Sequence, residues 1–169
     1  MSSSTISSIQ AIFATRLDTL THLLRKAEET LNGTSLLESR LAPDMAPLGT
    51  QVAYTCNQPR NFALWTQGKP VDNLEPTVGS LERAHEHISH TKALLLSCEM
   101  DDSRLTQTVR VDLGLTMYAD MTGNEYVHDF LVPNFYFHLV TSYAILRMLG
   151  MSIGKADYMT HLVPLVRSR

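Results

Sequence analysis

Charge is scarce in this chain, and no sign dominates. Only 18% of its 169 residues are charged, and 14 Lys and Arg against 17 Asp and Glu leave a net charge of −3 at pH 7. Proteins that neutralise a phosphate backbone need a basic excess, so nucleic acid is not an expected partner. Cysteine is equally sparse. Cys56 and Cys98 have no close spacing partner, which removes a disulfide framework and a zinc knuckle and fits reduced thiols in the cytoplasm. Charged or polar residues interrupt every apolar run before it approaches the roughly 18 residues of a membrane span, so no membrane association is expected. The N-terminal stretch MSSSTISSIQAIFATRL has a single arginine, Arg16, and lacks the basic start and unbroken apolar run of a secretory signal. The sequon Asn32-Gly33-Thr34 is then expected to stay unused. A Gly-rich phosphate loop, a nucleophile elbow and an HExxH motif are all missing.

What is present is helical periodicity. Hydrophobic residues make up 44% of the chain, enough for one continuous core, and residues 1–169 read as a single domain. Ile9, Phe13, Leu17, Leu20, Leu24, Ala27 and Leu31 repeat at steps of three and four, predicting a first helix that stops near Asn32-Gly33. Ser35 to Leu41 carries a short helical pattern. Pro43-Asp44 predicts the start of a second helix running toward Gly68, with a kink or break near Asn57 imposed by Pro59. Gly68 to Pro76 is a loop by composition. Leu81, Ala84, Ile88, Thr91, Leu95 and Cys98 mark a third helix, and alternation through Val109, Val111 and Leu113, turning at Gly114, predicts a short β-hairpin. A fourth helix is expected after Thr122-Gly123, with one stripe through Tyr126, Phe130, Asn134, Phe137, Thr141, Ala144 and Met148. Its other stripe runs through Val127, Leu131, Phe135, His138, Ser142, Ile145 and Leu149. So wide an apolar arc predicts the central element of the bundle, bent by Pro133. The fold class is an all-α four-helix bundle with a hairpin between helices three and four.

His138 is the most informative residue, because an imidazole inside an apolar stripe needs a hydrogen-bond partner or must remain neutral. It is read either as a satisfied core histidine or as a group facing an internal pocket. Asn134 and Ser142 lie one turn to either side. On helix two, Asp44, Leu48, Gln51 and Thr55 share a face, so Asp44 or Gln51 could orient His138. Trp65 and Tyr54 could wall a pocket. His85, His87 and His90 diverge around their helix and cannot close a tetrahedral shell, so they read as a solvated face. Cys56 reads as core filler.

The stretch Leu131-Val132-Pro133-Asn134-Phe135-Tyr136-Phe137-His138, continuing through Thr141, Tyr143, Arg147 and Gly150 to Ile153-Gly154-Lys155-Ala156-Asp157-Tyr158, resembles the signature of the family catalogued as domain of unknown function 1993. Arg40-Leu41-Ala42-Pro43-Asp44-Met45, with Pro47-Leu48 and Gln51-Val52, resembles its second signature. That family is similar to the DinB/YfiT-like superfamily of four-helix bundles, many of which bind a divalent metal through three histidines. The resemblance implies the bundle and a pocket between helices two and four. This sequence departs from the metal pattern, since Ser142 stands where the H-x-x-x-H pair would place its second histidine and Gln51 occupies the helix-two position. No metal or other cofactor is expected.

Three functions follow as expectations. One is a metal-free enzyme of isomerase, dehydratase or cyclase type, with His138 and Asp44 catalytic and Gln51, Asn134, Tyr143, Trp65 and Arg147 as substrate contacts. Another is a non-catalytic ligand-binding or dimerising bundle, in which a homodimer would be in keeping. The third is a metal-dependent transferase or hydrolase like the superfamily relatives. A small-molecule ligand is the expected partner of the first two.

Overall fold

Asp102 ties the first helix to the far side of the chain. In the computed structural model, which describes residues 4–31, 36–98 and 101–167, its carboxylate accepts from the backbone N–H groups of Thr5 and Ile6 at 3.0 and 2.9 Å. These are orphan donors at the positive end of α1 (Thr5–Thr30), which Ser4 also caps by accepting from Ser7 N–H. Helix α1 buries the expected stripe from Ile9 to Ala27. Its expected stop at Asn32-Gly33, and the sequon, lie outside the described residues.

Helix α2 (Leu48–Thr66) begins later than Pro43-Asp44 predicts. The Leu36–Ser39 segment, where a 3₁₀ residue leads into a turn, supplies the reason: the carbonyls of Ser39 and Leu37 accept from Leu48 and Gly49 N–H at 2.8 and 2.9 Å. These bonds fix the helix start at Leu48, and Asp44 is left exposed in the preceding turn. The helix does not break near Asn57. Pro59 removes the bond to the Thr55 carbonyl, but α2 continues to Thr66 because fourteen of its 19 residues are buried and packing outweighs one lost bond.

Helix α3 (Leu81–Leu96), capped by Ser80, packs on α2 and α1. Strands β1 (Thr108–Asp112) and β2 (Tyr118–Thr122) pair antiparallel, with Val109 opposite Met121 and Val111 opposite Ala119. Gly114 takes the positive φ (85°) that the turn requires. Thr122 and Glu125 then form a capping box around a single helical turn, Gly123–Glu125.

The fourth helix is not uniform. Tyr126–Leu131 is a π-helical turn, and the regular helix α4 occupies Val132–Met148. Pro133 has no N–H for the Asp129 carbonyl and its ring crowds that carbonyl, so the chain accommodates it by widening the helix. The expected bend is realised as a change of pitch. Helix α4 is also not the central element. Phe135, Leu139, Ser142 and Ile145 are buried while Phe137, Val140 and Met148 are exposed, and it is α2, contacting α1, α3 and α4, that the core surrounds.

The chain closes with α5 (Lys155–Tyr158) and a 3₁₀ turn, Thr160–Leu165, lying on α1. Asp157 accepts from His22 Nε2 (3.0 Å), Lys26 Nζ (2.8 Å) and Gly154 N–H (2.8 Å), and these donors hold its carboxyl well below the usual range. Among the described residues no helix is long and apolar enough to cross a membrane.

Candidate functional site

Helix α4 aims His138 at the first turns of α2. Its Nδ1 lies 2.8 Å from Gln51 Oε1, and Gln51 Nε2 donates to the Ala46 carbonyl at 3.1 Å. Because the amide's NH₂ is committed to a carbonyl, its oxygen faces the ring and His138 must carry its proton on Nδ1. The Nε2 lone pair has no partner among the described residues. Burial pushes the imidazole down to about 4, so the ring is neutral at pH 7. Tyr54 packs edge-on against it at 5.2 Å between ring centres.

A cavity of about 820 Å³ opens beside this pair, within the size range of small-molecule sites. Helix α2 forms its floor through Tyr54, Asn57, Asn61 and Trp65, while the π-helical turn contributes Tyr126 and Phe130. Trp65 meets Tyr126 edge-on at 5.7 Å and Tyr126 stacks on Phe130 at 5.9 Å, giving an aromatic wall. Strand β1 covers one side with Val109 to Asp112, and the loop after α2 covers another with Lys69 to Val71 and Asn73. That loop is strapped to α2 by Asn57 Oδ1 accepting from Leu74 N–H at 2.8 Å and by Asn61 accepting from Asp72 N–H and donating to Asn73 Oδ1.

Of the residues the sequence nominates, Gln51 and His138 come together and Trp65 walls the same cavity. Asp44 does not join them: it is exposed, and among the described residues it makes no hydrogen bond to His138. Asn134 spends its amide on the Phe130 carbonyl at 2.7 Å. Tyr143 packs against Tyr158 at the other end of α4, and Arg147 donates to the carbonyls of Met151 and Ile153 at 2.9 and 2.7 Å, and neither lines the cavity. The solvated reading of the histidine triplet fails in part. His87 is 4% exposed on the α3 stripe that meets the core, whereas His90 is exposed and His85 sits 3.3 Å from Glu28. Cys56 is filler as expected, fully buried with its thiol pushed up to about 12 by burial.

Asn57, Asn61, Tyr126 and the β1 strand were not nominated. A signal for the first two existed: Gln51, Tyr54, Asn57, Asn61 and Trp65 continue at helical steps, but only if α2 is read straight through Pro59.

The model of the family "Domain of unknown function (DUF1993)" matches residues 7–159. The chain belongs to that family. Among solved structures, this DUF1993 protein is similar to a DinB family member protein from Shewanella denitrificans, with 26% identity, TM-score 0.76, and coverage of 89% of this chain and 88% of that one. No curated protein matches. The shared bundle raises the three-histidine metal centre of the superfamily as a question for the donor set here. The set does not fit. Ser142 turns its hydroxyl to the His138 carbonyl at 2.9 Å, Gln51 presents an amide already bound to His138 and Ala46, and no group of three His, Cys, Asp or Glu converges among the described residues.

Proposed function

We propose that this DUF1993 protein is a small-molecule enzyme that works by proton transfer without a bound metal, of isomerase, dehydratase or cyclase type, with His138 as the base. The observation that carries this reading is the Gln51–His138 pair beside the cavity: one nitrogen is locked as donor, so the other is free as acceptor. Gln51 is a positioning residue in this account. The unpaired thiols of Cys56 and Cys98 support a reducing, intracellular setting.

An imidazole with so low a pKa is a weak base in water. Negative charge developing on a substrate beside it would raise that basicity within the site, where desolvation strengthens the attraction. If no such charge develops, Nε2 serves only as an acceptor, and the weak basicity favours the second reading, a non-catalytic ligand-binding bundle. Deuterium exchange separates the two. Incubation in D₂O with a panel of cyclic and aromatic ketones, followed by proton NMR, should reveal catalysed exchange at a carbon-bound hydrogen, with His138→Gln slower by roughly 10²–10⁴-fold. Exchange equal in the two proteins would remove the catalytic reading.

A further inference from the structure

Three nearly buried side chains on the cavity wall hold donors with no hydrogen-bond partner among the described residues. Asn57 is 5% exposed, Tyr126 3% and Trp65 9%. The Asn57 orientation is settled, since its Oδ1 accepts from Leu74 N–H and its Nδ2 is left over. Neither the Tyr126 hydroxyl nor Trp65 Nε1 has a hydrogen-bond partner among the described residues. These atoms are not sealed in the core. Sealed polar atoms without a hydrogen bond among the described residues, such as His87 Nε2 and His161 Nδ1, lie elsewhere, while Asn57, Tyr126 and Trp65 line the cavity. Water meets these donors while the cavity is open, so a molecule that displaces it must present an acceptor of its own or leave nearly buried donors unpaired.

The chemistry of that acceptor is constrained. An amide NH₂ and an indole N–H can only donate. Burial pushes Tyr126 up to about 12, so it remains a phenol with a proton to give. Charged lining groups are exposed ones at the mouth: Lys69, bonded to Gln67, Asp112, bonded to Gly114 N–H, and Arg110, held by both oxygens of Asp120 and lying over the Tyr118 ring at 4.1 Å. A carboxylate deep in the cavity would meet no cation. An uncharged oxygen acceptor on a flat apolar body matches donors set in aromatic walls.

Resting on the proton-transfer reading above, we infer that the substrate is an uncharged cyclic or aromatic carbonyl compound whose oxygen is received by Asn57 Nδ2, Tyr126 OH and Trp65 Nε1 while His138 Nε2 takes a proton from the adjacent carbon. The C–H electron pair becomes a C=C bond and the carbonyl π pair moves onto oxygen as an enolate. In a substrate with a C=C bond β,γ to the carbonyl the enolate is a dienolate, and the proton on His138 returns to its γ carbon, so the double bond moves into conjugation in a balanced isomerisation with no co-reactant. The donors and the weak base require each other: preorganised hydrogen bonds to the developing oxyanion lower the barrier that a poorly basic imidazole leaves high. A C–H flanked by two carbonyls suits the pair best.

The probe is 2-naphthol, an uncharged planar molecule whose oxygen ionises and so stands in for the enolate. Fluorescence titration of the full chain should show saturable binding, and the bound naphthol should ionise at lower pH than the free one. Tyr126→Phe and Asn57→Asp each remove one donor, the latter keeping an acceptor for Leu74 N–H, and each should weaken binding at least about tenfold. 2-Naphthoate should bind more weakly than 2-naphthol. Thermal melts identify any variant that fails to fold, and the other variant then carries the test. No saturable binding, or affinities equal to wild type in a folded variant, would overturn the inference. If exchange in D₂O still depends on His138 in that case, the proton-transfer reading stands and only the substrate class falls. Donor-dependent naphthol binding with no exchange on any carbonyl compound would instead sink the catalytic reading and leave the donor wall as a binding site.

Discussion

The two faces of α2 meet two histidines, His138 and His87, in contrasting ways. Toward α4, His138 is half-buried, bonded to Gln51 and open to a cavity through its second nitrogen. Toward α3, His87 is more deeply buried, and its Nε2 is sealed with no partner, beside Thr91 whose hydroxyl is sealed as well. Both rings are held neutral by burial, His87 with help from the positive charge of Arg83. Depth of burial therefore does not tell the two histidines apart as proton acceptors. The difference lies in what each second nitrogen faces: accessible space for His138, packed core for His87.

The largest expected effect sharpens that difference. His138→Gln should lower the exchange activity by roughly 10²–10⁴-fold with little change in melting temperature, because the amide keeps volume and some hydrogen bonding. His87→Gln should leave activity per folded molecule unchanged. Steady-state rates beside thermal melts check both, and comparable losses in the two variants would erase the contrast.

Gln51→Leu comes next. It strands the His138 Nδ1–H and the Ala46 carbonyl, and a loss of about 1–3 kcal/mol in chemical denaturation is expected. At His87 the direction reverses. His87→Leu removes a buried donor–acceptor ring whose Nε2 has no partner, so stability should hold or rise by about 1 kcal/mol. A destabilisation above that size would mean His87 is satisfied in a way its surroundings do not show.

The last effect is in acid. Both histidines have folded pKa values below the unfolded value of about 6.5, so the unfolded chain binds more protons as the pH drops. Their contribution is intact above about pH 6.5 and is lost as the pH falls toward about 4, where His138 itself titrates. Asp157 acts later. Its depressed carboxyl contributes stability above an unfolded value near 3.9 that disappears below it. Denaturation midpoints measured from pH 7.5 to 3 should fall in two stages, and His87→Leu should make the upper stage shallower without touching the lower one.

Much of the fold was legible in the sequence because periodicity survives where one face is packed: the α1 stripe, the α3 stripe and the alternation of β1 all reappear in the structure. The family resemblance at Leu131 to Tyr158 added the relation between helices two and four, and with it the meeting of Gln51 and His138, 87 residues apart. What escaped was what depends on competition between local rules and packing. Pro59 reads as a breaker, yet the burial of α2 overrides it, and that misreading hid Asn57 and Asn61 as cavity residues. Pro133 reads as a bend, yet it is absorbed by a π-helical turn that also presents Tyr126 and Phe130 to the cavity. Asp44, Tyr143 and Arg147 lie in motif-bearing stretches, and their surroundings show why motif membership does not make a side chain a site: two face away from the cavity on structural duties and one lies in an exposed turn. His87 could not be told from its neighbours, because Ala84, Ile88 and Thr91 define a stripe whose edge falls within one residue of it.

The central claim, a neutral His138 locked with its proton on Nδ1 and its Nε2 lone pair facing the cavity, is open to direct measurement. Long-range proton–nitrogen NMR on uniformly ¹⁵N-labelled protein, with His138→Gln to assign the resonances, reads the protonation of each ring nitrogen. The account predicts a protonated Nδ1 and an unprotonated Nε2 at pH 7, titration near pH 4, and loss of the single tautomer in Gln51→Leu. A proton on Nε2, or titration near pH 6.5 unaffected by Gln51→Leu, would contradict it.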